Sequence, residues 1–190
     1  TLRKLSKNGD SDAQCALGLI ISDPESYNGD EKDYSAEEAI NLWKMAEKNH
    51  KPEAMYYLGD AFYYGKLSVK KDKQRGIDIL TTAANSIYEK SPITDYTTSC
   101  AQYLLSHIYL YEDNIDYASY RKKRFYWLNK VIEGPASFYT PYAYKDLGDY
   151  KYVSDDYKSA LLMYQKASDL HNLHATVLLG HLRLESKSLS

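Results

Sequence analysis

Residues 54–65 read AMYYLGDAFYYG, and this stretch decides the fold of the chain. Ala54, Leu58 and Phe62 are spaced four residues apart, so their side chains share one face of a helix. Gly59 stands beside Leu58 and has no side chain, which lets a second helix approach closely. The stretch therefore predicts a helix whose apolar face packs against a close neighbour.

The first half of this pattern recurs along the chain as Ala, then Leu four residues later, then a small residue. It is found at residues 13–18, 54–59, 101–106, 143–148 and 175–180. A second pattern lies between these stretches and consists of a small residue, an apolar residue four positions later and another three positions after that. It is found at Ala39/Trp43/Ala46, Gly76/Leu80/Ala83 and Ala160/Tyr164/Ala167, and with a long first residue at Arg124/Leu128/Val131. The distance along the sequence between successive copies of the first pattern falls within the range of about 20–50 residues that is typical of repeat proteins.

Both patterns have helical spacing, so we predict two kinds of helix, A and B, that alternate along the chain. The predicted bounds are A1 11–21, B1 35–49, A2 52–64, B2 73–88, A3 95–111, B3 117–132, A4 140–151, B4 155–169 and A5 173–185. Signals for strands, such as an Asn-Gly turn between alternating apolar runs, are absent. One hairpin cannot bury both of its faces, whereas stacked hairpins can. We therefore predict one domain over residues 1–190, with about four hairpins and a terminal helix.

The two patterns together resemble the Sel1-like repeat, a relative of the tetratricopeptide repeat, and residues 54–65 give the best match. The resemblance covers nearly the whole chain and implies an all-α, right-handed superhelical solenoid of helix-turn-helix repeats. Because the chain does not begin with Met, it is also expected to be a fragment of a larger repeat protein or a processed form. The sequence departs from the repeat at Ser106, which replaces Gly, at Arg124, which replaces Ala, and at Lys151 and Arg183, which replace an aromatic residue.

Composition narrows the kind of partner. The formal net charge of −2 argues against a general binder of nucleic acid or of anionic membranes. There is no apolar run long enough for a membrane span. Tyrosine is abundant, with 21 residues against 3 Phe and 2 Trp, and its ring suits both half-buried helix contacts and partner surfaces. Cys15 and Cys100 fall on helices A1 and A3, too far apart for a disulfide, so we expect two reduced and mostly buried thiols.

Signals for chemistry are weak. His171 and His174 are three residues apart and His181 lies seven residues after His174, but a third ligand with suitable spacing is missing. Phosphate-binding glycine loops and the motif of hydrolase nucleophiles are absent. We therefore predict no bound metal, no cofactor and no enzymatic activity.

The resemblance also indicates where a partner would bind. In this repeat class helix A lines the inside of the superhelix, and the residues next to its buried stripe point into the groove. The expected partner-binding residues are Glu53, Tyr56, Asp60, Tyr63, Tyr103, His107, Tyr142, Lys145 and Asp149. Two basic clusters lie in or beside the A–B connections and are expected to form a basic rim. They comprise Lys66, Lys70, Lys71, Lys73 and Arg75, and Arg121, Lys122, Lys123 and Arg124.

By resemblance, the chain is expected to be a scaffold or adaptor that binds a protein or peptide through a tyrosine-rich groove. Two alternatives stay open, namely an inhibitor or immunity-type protein that caps one bacterial toxin or enzyme, and a regulatory repeat arm of a larger enzyme or membrane-associated complex. Asn-x-Ser/Thr sequons are absent, which favours a location inside the cell over a secretory or periplasmic one. The sequence does not indicate an oligomeric state.

Overall fold

The computed structural model describes residues 1–23, 35–86, 92–111 and 117–188. Within these ranges the chain forms ten α-helices and no β-strand. They are α1 Leu2–Lys7, α2 Ser11–Ser22, α3 Ala36–Glu47, α4 Pro52–Tyr64, α5 Lys73–Ala84, α6 Pro92–Tyr111, α7 Tyr117–Glu133, α8 Thr140–Val153, α9 Tyr157–Asp169 and α10 Leu173–Ser188. The nine predicted helices are confirmed as α2 to α10, although residues 87–88 at the end of predicted B2 lie outside the described ranges. Helix α1 was not predicted.

Side-chain caps explain where many of these helices begin. Asp10, Ser35 and Asp72 each precede a helix and accept a hydrogen bond from the backbone N–H three residues later, at 3.0–3.1 Å. Asp156 and Asn172 do the same for α9 and α10. These side chains satisfy backbone donors that have no partner inside the helix. Helices α4 and α8 instead carry proline in their first turn, where no backbone donor is required.

The chain divides into two compact units, Thr1–Ala101 and Gln102–Ser190. The core of the first unit joins α2, α3 and α4 around Trp43 and Leu58, both almost fully buried. The Trp43 indole donates a hydrogen bond to the Cys15 carbonyl at 3.4 Å and stacks on Tyr57 with ring centroids 5.0 Å apart. The one polar atom of this large ring is thus satisfied where water is excluded.

In the second unit, two apolar clusters hold the helices together. Residues from α7 and α8 form one, with Leu128, Val131, Ala143 and Leu147 buried. Helices α9 and α10 form the other, which is built from Ala160, Tyr164, Ala167, Ala175, Leu179 and Leu182. These residues are members of the two predicted repeat patterns or one helical turn beyond them, which confirms the predicted phase of the helices.

Both cysteines are buried and neither forms a disulfide, as predicted. Burial raises the pKa of the Cys15 thiol to about 12, with smaller contributions from the carboxylates of Glu53 and Asp12. Cys15 is therefore a packing residue rather than a reactive thiol.

Glycine beside the repeat leucine permits close helix contact, as the sequence predicted. A Cβ atom on Gly18 would lie 2.5 Å from the Trp43 indole nitrogen, one on Gly59 would lie 2.6 Å from Leu80, and one on Gly148 would lie 2.6 Å from the Tyr164 ring. The exception is Gly180, where no described atom lies within 4 Å of the corresponding position. Three helix pairs are thus built on glycine contacts, while the same position on α10 is open.

We predict that Gly59→Ala lowers the free energy of unfolding by about 1–3 kcal/mol, the usual cost of overpacking a core. Gly180→Ala is the matched control because its added methyl group enters open space, and alanine favours helix over glycine by about 0.5–1 kcal/mol. Urea unfolding of the two variants measures both values. Equal effects at the two positions would contradict the glycine contacts described above.

Candidate protein-binding site

In the second unit, five residues predicted to line the groove lie together on α6 and α8. Tyr103 and His107 are one turn apart on α6, with ring centroids 4.6 Å apart, and the Tyr142 ring of α8 lies 6.4 Å from Tyr103. Lys145 and Asp149 follow on α8 and form an ion pair at 2.6 Å. Side chains three or four residues apart share one helix face, and these five residues lie on the facing surfaces of α6 and α8.

Asp146 lies at the centre of this set, and its role was not predicted from the sequence. Its carboxylate is 3.5 Å from the Tyr103 hydroxyl, 3.6 Å from Nε2 of His107 and 3.4 Å from the Arg124 guanidinium. Lys145 reaches the second carboxylate oxygen at 3.6 Å. We call these five residues the Asp146 network. A nearly buried carboxylate is thus surrounded by two permanent cations, a histidine and a phenol.

The electrostatics of the network keep Asp146 ionised. Burial opposes its ionisation, but the His107 imidazole 3.6 Å away and the charges of Arg124 and Lys145 outweigh that effect, so the pKa of Asp146 lies below its usual range. Burial together with the adjacent Asp146 carboxylate raises the pKa of the Tyr103 hydroxyl, which stays protonated and donates. For Lys145, burial is outweighed by its bonds to Asp149 and Asp146, and its pKa is raised. The network is therefore a preorganised set of charges at neutral pH.

An aromatic surface adjoins the network. Tyr139 stacks on Tyr103 with centroids 4.9 Å apart, and Phe138 lies 5.3 Å from both Tyr139 and Tyr142. We call Tyr103, Phe138, Tyr139 and Tyr142 the aromatic shelf. Phe138 is 62% exposed and Tyr142 is 40% exposed, so the outer half of the shelf is open to solvent. Exposed neighbouring rings of this kind are typical of surfaces that bind partners.

The turn that carries Phe138 is held in place by hydrogen bonds. The backbone N–H of Ser137 donates to Oγ1 of Thr140 at 2.9 Å, and the N–H of Tyr139 donates to the Ser137 hydroxyl at 3.3 Å. A cleft of about 290 Å³ lies next to this turn and is lined by residues 136–138 and 140–142 and by the turn at residues 170–172. The shelf therefore borders an open cleft that can receive a side chain of a partner.

The four predicted residues of the first unit, all on α4, are placed less uniformly. Glu53 is half-buried and accepts a hydrogen bond from Thr94 at 3.5 Å, while Asp60 pairs with Lys66 at 2.7 Å. Tyr56 is half-buried, with its ring edge-on to Tyr57 at 5.3 Å.

Tyr63 does not point into a groove, and this part of the prediction is wrong. Its side chain is buried and packs edge-on against Tyr64 at 4.8 Å. The reason is Gly76 on α5, where an added Cβ would lie only 2.6–2.7 Å from the Tyr63 backbone nitrogen and Cβ. Since Gly76 lets α5 come this close, α5 covers the face of α4 that carries Tyr63.

The first basic cluster lies between α4 and α5 and at the start of α5. Lys66 pairs with Asp60 and lies 4.8 Å from the Tyr64 ring, and Arg75 lies 4.0 Å from the Phe62 ring. Lys73 lies 5.8 Å from the Tyr63 ring. Lys70 and Lys71 are exposed. Part of this basic charge is thus already engaged by aromatic rings and a carboxylate of the same unit.

The second basic cluster lies in the first two turns of α7, and the prediction for one of its members, Arg124, is wrong. Arg121 lies 4.3 Å from the Tyr150 ring, Lys123 lies 5.2 Å from the Tyr109 ring, and Lys122 is exposed. Arg124, predicted for the rim, turns inward and its side chain is only 16% exposed, because the helix directs it at Asp146. It belongs to the Asp146 network.

Two further findings concern metal binding and membrane spans in the described ranges. They hold no group of three or more His, Cys, Asp or Glu side chains placed to bind a metal ion. None of their helices combines the length and apolar character that crossing a membrane requires.

The fold and these contacts define a protein of helical hairpin repeats. The Sel1 repeat model matches residues 11–49, 52–86, 101–117 and 142–172, more than half of the chain. The chain therefore belongs to the Sel1 repeat family, whose members commonly mediate protein–protein interactions and are generally non-enzymatic scaffolds. No curated protein matches the chain.

Solved structures show the same fold. A protective antigen of uropathogenic Escherichia coli with an SLR fold is 20% identical, and the match covers 98% of this chain and 36% of that one at a TM-score of 0.71. A Sel1 repeat protein from Oxalobacter formigenes is 22% identical, and that match covers 95% and 47% at a TM-score of 0.68. The chain thus spans about a third and about half of their lengths. An immunity protein from Pseudomonas aeruginosa is 15% identical, and that match covers 83% of this chain and 64% of that one at a TM-score of only 0.40.

Proposed function

We propose that the chain is a scaffold or adaptor that binds a partner protein or peptide through the aromatic shelf and the adjoining Asp146 network. The observation that carries this proposal is the exposure of Phe138 and Tyr142 on a turn and helix start that are fixed by hydrogen bonds. Fixed aromatic rings supply contact area at a low cost in conformational entropy.

The charges beside the shelf support the same role. Lys145 and Asp149 supply both signs of charge beside the shelf, and the ion pairs that join them to each other and Lys145 to Asp146 hold these side chains in place. An apolar or aromatic residue of the partner would pack on the shelf or enter the neighbouring cleft. Polar groups that flank this residue would meet the network, which favours one orientation of the partner over others.

We predict that the double change Phe138→Ala and Tyr142→Ala weakens partner binding by at least about 2 kcal/mol, the scale of a binding hot spot. Both rings are well exposed, so the melting temperature is expected to change little. The partner would first be captured from the native cell with the wild-type chain and identified by mass spectrometry, and its affinity for each variant then measured by calorimetry.

The chain offers a matched control in Tyr152 and Tyr157, a second exposed aromatic pair with ring centroids 5.5 Å apart, at the end of α8 and the start of α9. The change of both residues to alanine removes a similar aromatic area away from the shelf and should leave affinity unchanged. Equal losses in the two double variants, or none in either, would rule out the shelf as the binding surface.

A further inference from the structure

Helix α10 carries an exposed apolar stripe on the face that turns away from α9. Leu173 is 81% exposed, Val177 is 56% exposed and Leu184 is 69% exposed, and the three share one side of the helix with Gly180. The opposite face, with Ala175 and Leu179, is buried against α9. The helix is therefore apolar on two sides, and only one of them is covered within the described residues.

The preceding repeats show what covers this face in the same molecule. In each of three hairpins, the glycine next to the repeat leucine lies under a large side chain from the centre of the following B-type helix. The pairs are Gly18 with Trp43, Gly59 with Leu80, and Gly148 with Tyr164. Gly180 occupies the same place in the pattern and has no described atom over it. The α10 stripe thus continues an interface that the fold has already formed three times.

These contacts also specify the chemistry of a helix that would fit the α10 face. Trp43, Leu80 and Tyr164 are each preceded by a small residue four positions earlier and followed by alanine three positions later. The small residues let two helix backbones come close, and the large one fills the space over the glycine. An occupant of the α10 face therefore needs a small residue, a large apolar residue four positions later and a small residue three positions after that.

We propose that the stripe of Leu173, Val177, Gly180 and Leu184 is a docking surface for an amphipathic helix of a partner protein with this pattern. The surface is separate from the aromatic shelf, so the proposal stands or falls independently of the proposed function. Binding of this kind is a helix laid on an apolar groove, with anchors at helical spacing.

The probe is a fluorescein-labelled peptide with the sequence of residues 35–49, which contains Ala39, Trp43 and Ala46 in the required pattern. Its binding to the protein is measured by fluorescence anisotropy. We expect saturable binding that Val177→Asp weakens by about thirtyfold or more, the factor that corresponds to a hot-spot loss. A control peptide that carries Trp43→Ser should bind the wild-type protein no more strongly than the unchanged peptide binds the Val177→Asp variant.

Two further variants separate docking from an effect on folding. Gly180→Ala places a methyl group where the incoming large side chain would lie, so binding should fall while the melting temperature stays the same or rises. Leu162→Asp changes another well-exposed apolar residue, on α9, and should leave binding unchanged.

Absence of peptide binding to the wild-type protein, or binding by the Val177→Asp and Gly180→Ala variants that is as strong as that of the wild type, would overturn the proposal. Sedimentation at increasing protein concentration tests the other occupant, a second copy of this chain. Self-association that Val177→Asp abolishes would assign the stripe to a contact between copies and would likewise overturn it.

Discussion

Leu58→Ala is expected to lower the free energy of unfolding by about 2–5 kcal/mol, the range for a fully buried leucine. Leu58 is completely buried in the core that joins α2, α3 and α4, and its removal leaves a cavity beside Trp43 and Ala54. Leu105 occupies the same place in the repeat pattern and is also completely buried, so Leu105→Ala should cost a similar amount.

Urea unfolding monitored by circular dichroism measures both variants. Leu162→Ala is the matched control, because Leu162 is 53% exposed and its truncation leaves no buried cavity. A loss below about 0.5 kcal/mol in the Leu58 or Leu105 variant would fall within the range of surface substitutions and would show that the assigned core is wrong.

Asp146→Asn is expected to cost about 3 kcal/mol of unfolding free energy, the lower end for removing one member of a buried ion pair. The carboxylate is nearly buried, and its loss leaves Arg124 and Lys145 with less compensation for their partial burial. The cost lies at the lower end because solvent reaches both cations and screens them.

The same variant has a signature in pH. The pKa of Asp146 is lower in the folded protein than its ordinary value of 3.8, so at acid pH the unfolded chain takes up the proton first. The stability that Asp146 contributes is complete above that ordinary value and is lost as pH falls through the folded pKa. The stability difference between wild type and Asp146→Asn should therefore shrink as pH falls below about 4. Asp155→Asn, at an exposed position, is the control. If the stability difference between wild type and Asp146→Asn stays constant with pH, the ion pairs assigned to Asp146 are contradicted.

The helices could be predicted from the sequence because the repeat patterns carry two independent signals, the helical spacing of apolar residues and the small residue beside Leu. The observed bounds Pro52–Tyr64 equal the predicted ones, and they agree with a proline in the first turn and a left-handed glycine, Gly65, directly after the helix. Helix α1 escaped prediction because it has only six residues, three of them basic, which is too short a stretch to show a helical period.

The site could be predicted only in part. The spacing placed Tyr103, His107, Tyr142 and Lys145 on facing helices, but the shelf also needs Phe138 and Tyr139, which precede α8. Helical periodicity says nothing about the direction of side chains in a turn.

Asp146 was missed for a different reason. In the sequence, Asp146 is a single acidic residue beside the repeat Leu147, as expected for a polar helix face. Its partners come from α6, α7 and α8, so the sequence of one helix does not indicate them. The sequence marked Arg124 as a long residue at a position that is small in the repeat. That departure was the one sequence signal of the network, and only the packing of the three helices shows what Arg124 contacts.

The most direct test of binding through the aromatic shelf is the affinity of the captured partner at low and high salt. An aromatic contact predicts a dissociation constant that changes little with salt in the wild type and rises by about thirtyfold in the Phe138→Ala, Tyr142→Ala variant. Binding through the exposed basic residues predicts the opposite, because screening weakens contacts between exposed charges. Affinity that falls steeply with added salt, and that the aromatic double variant leaves unchanged, would contradict the account.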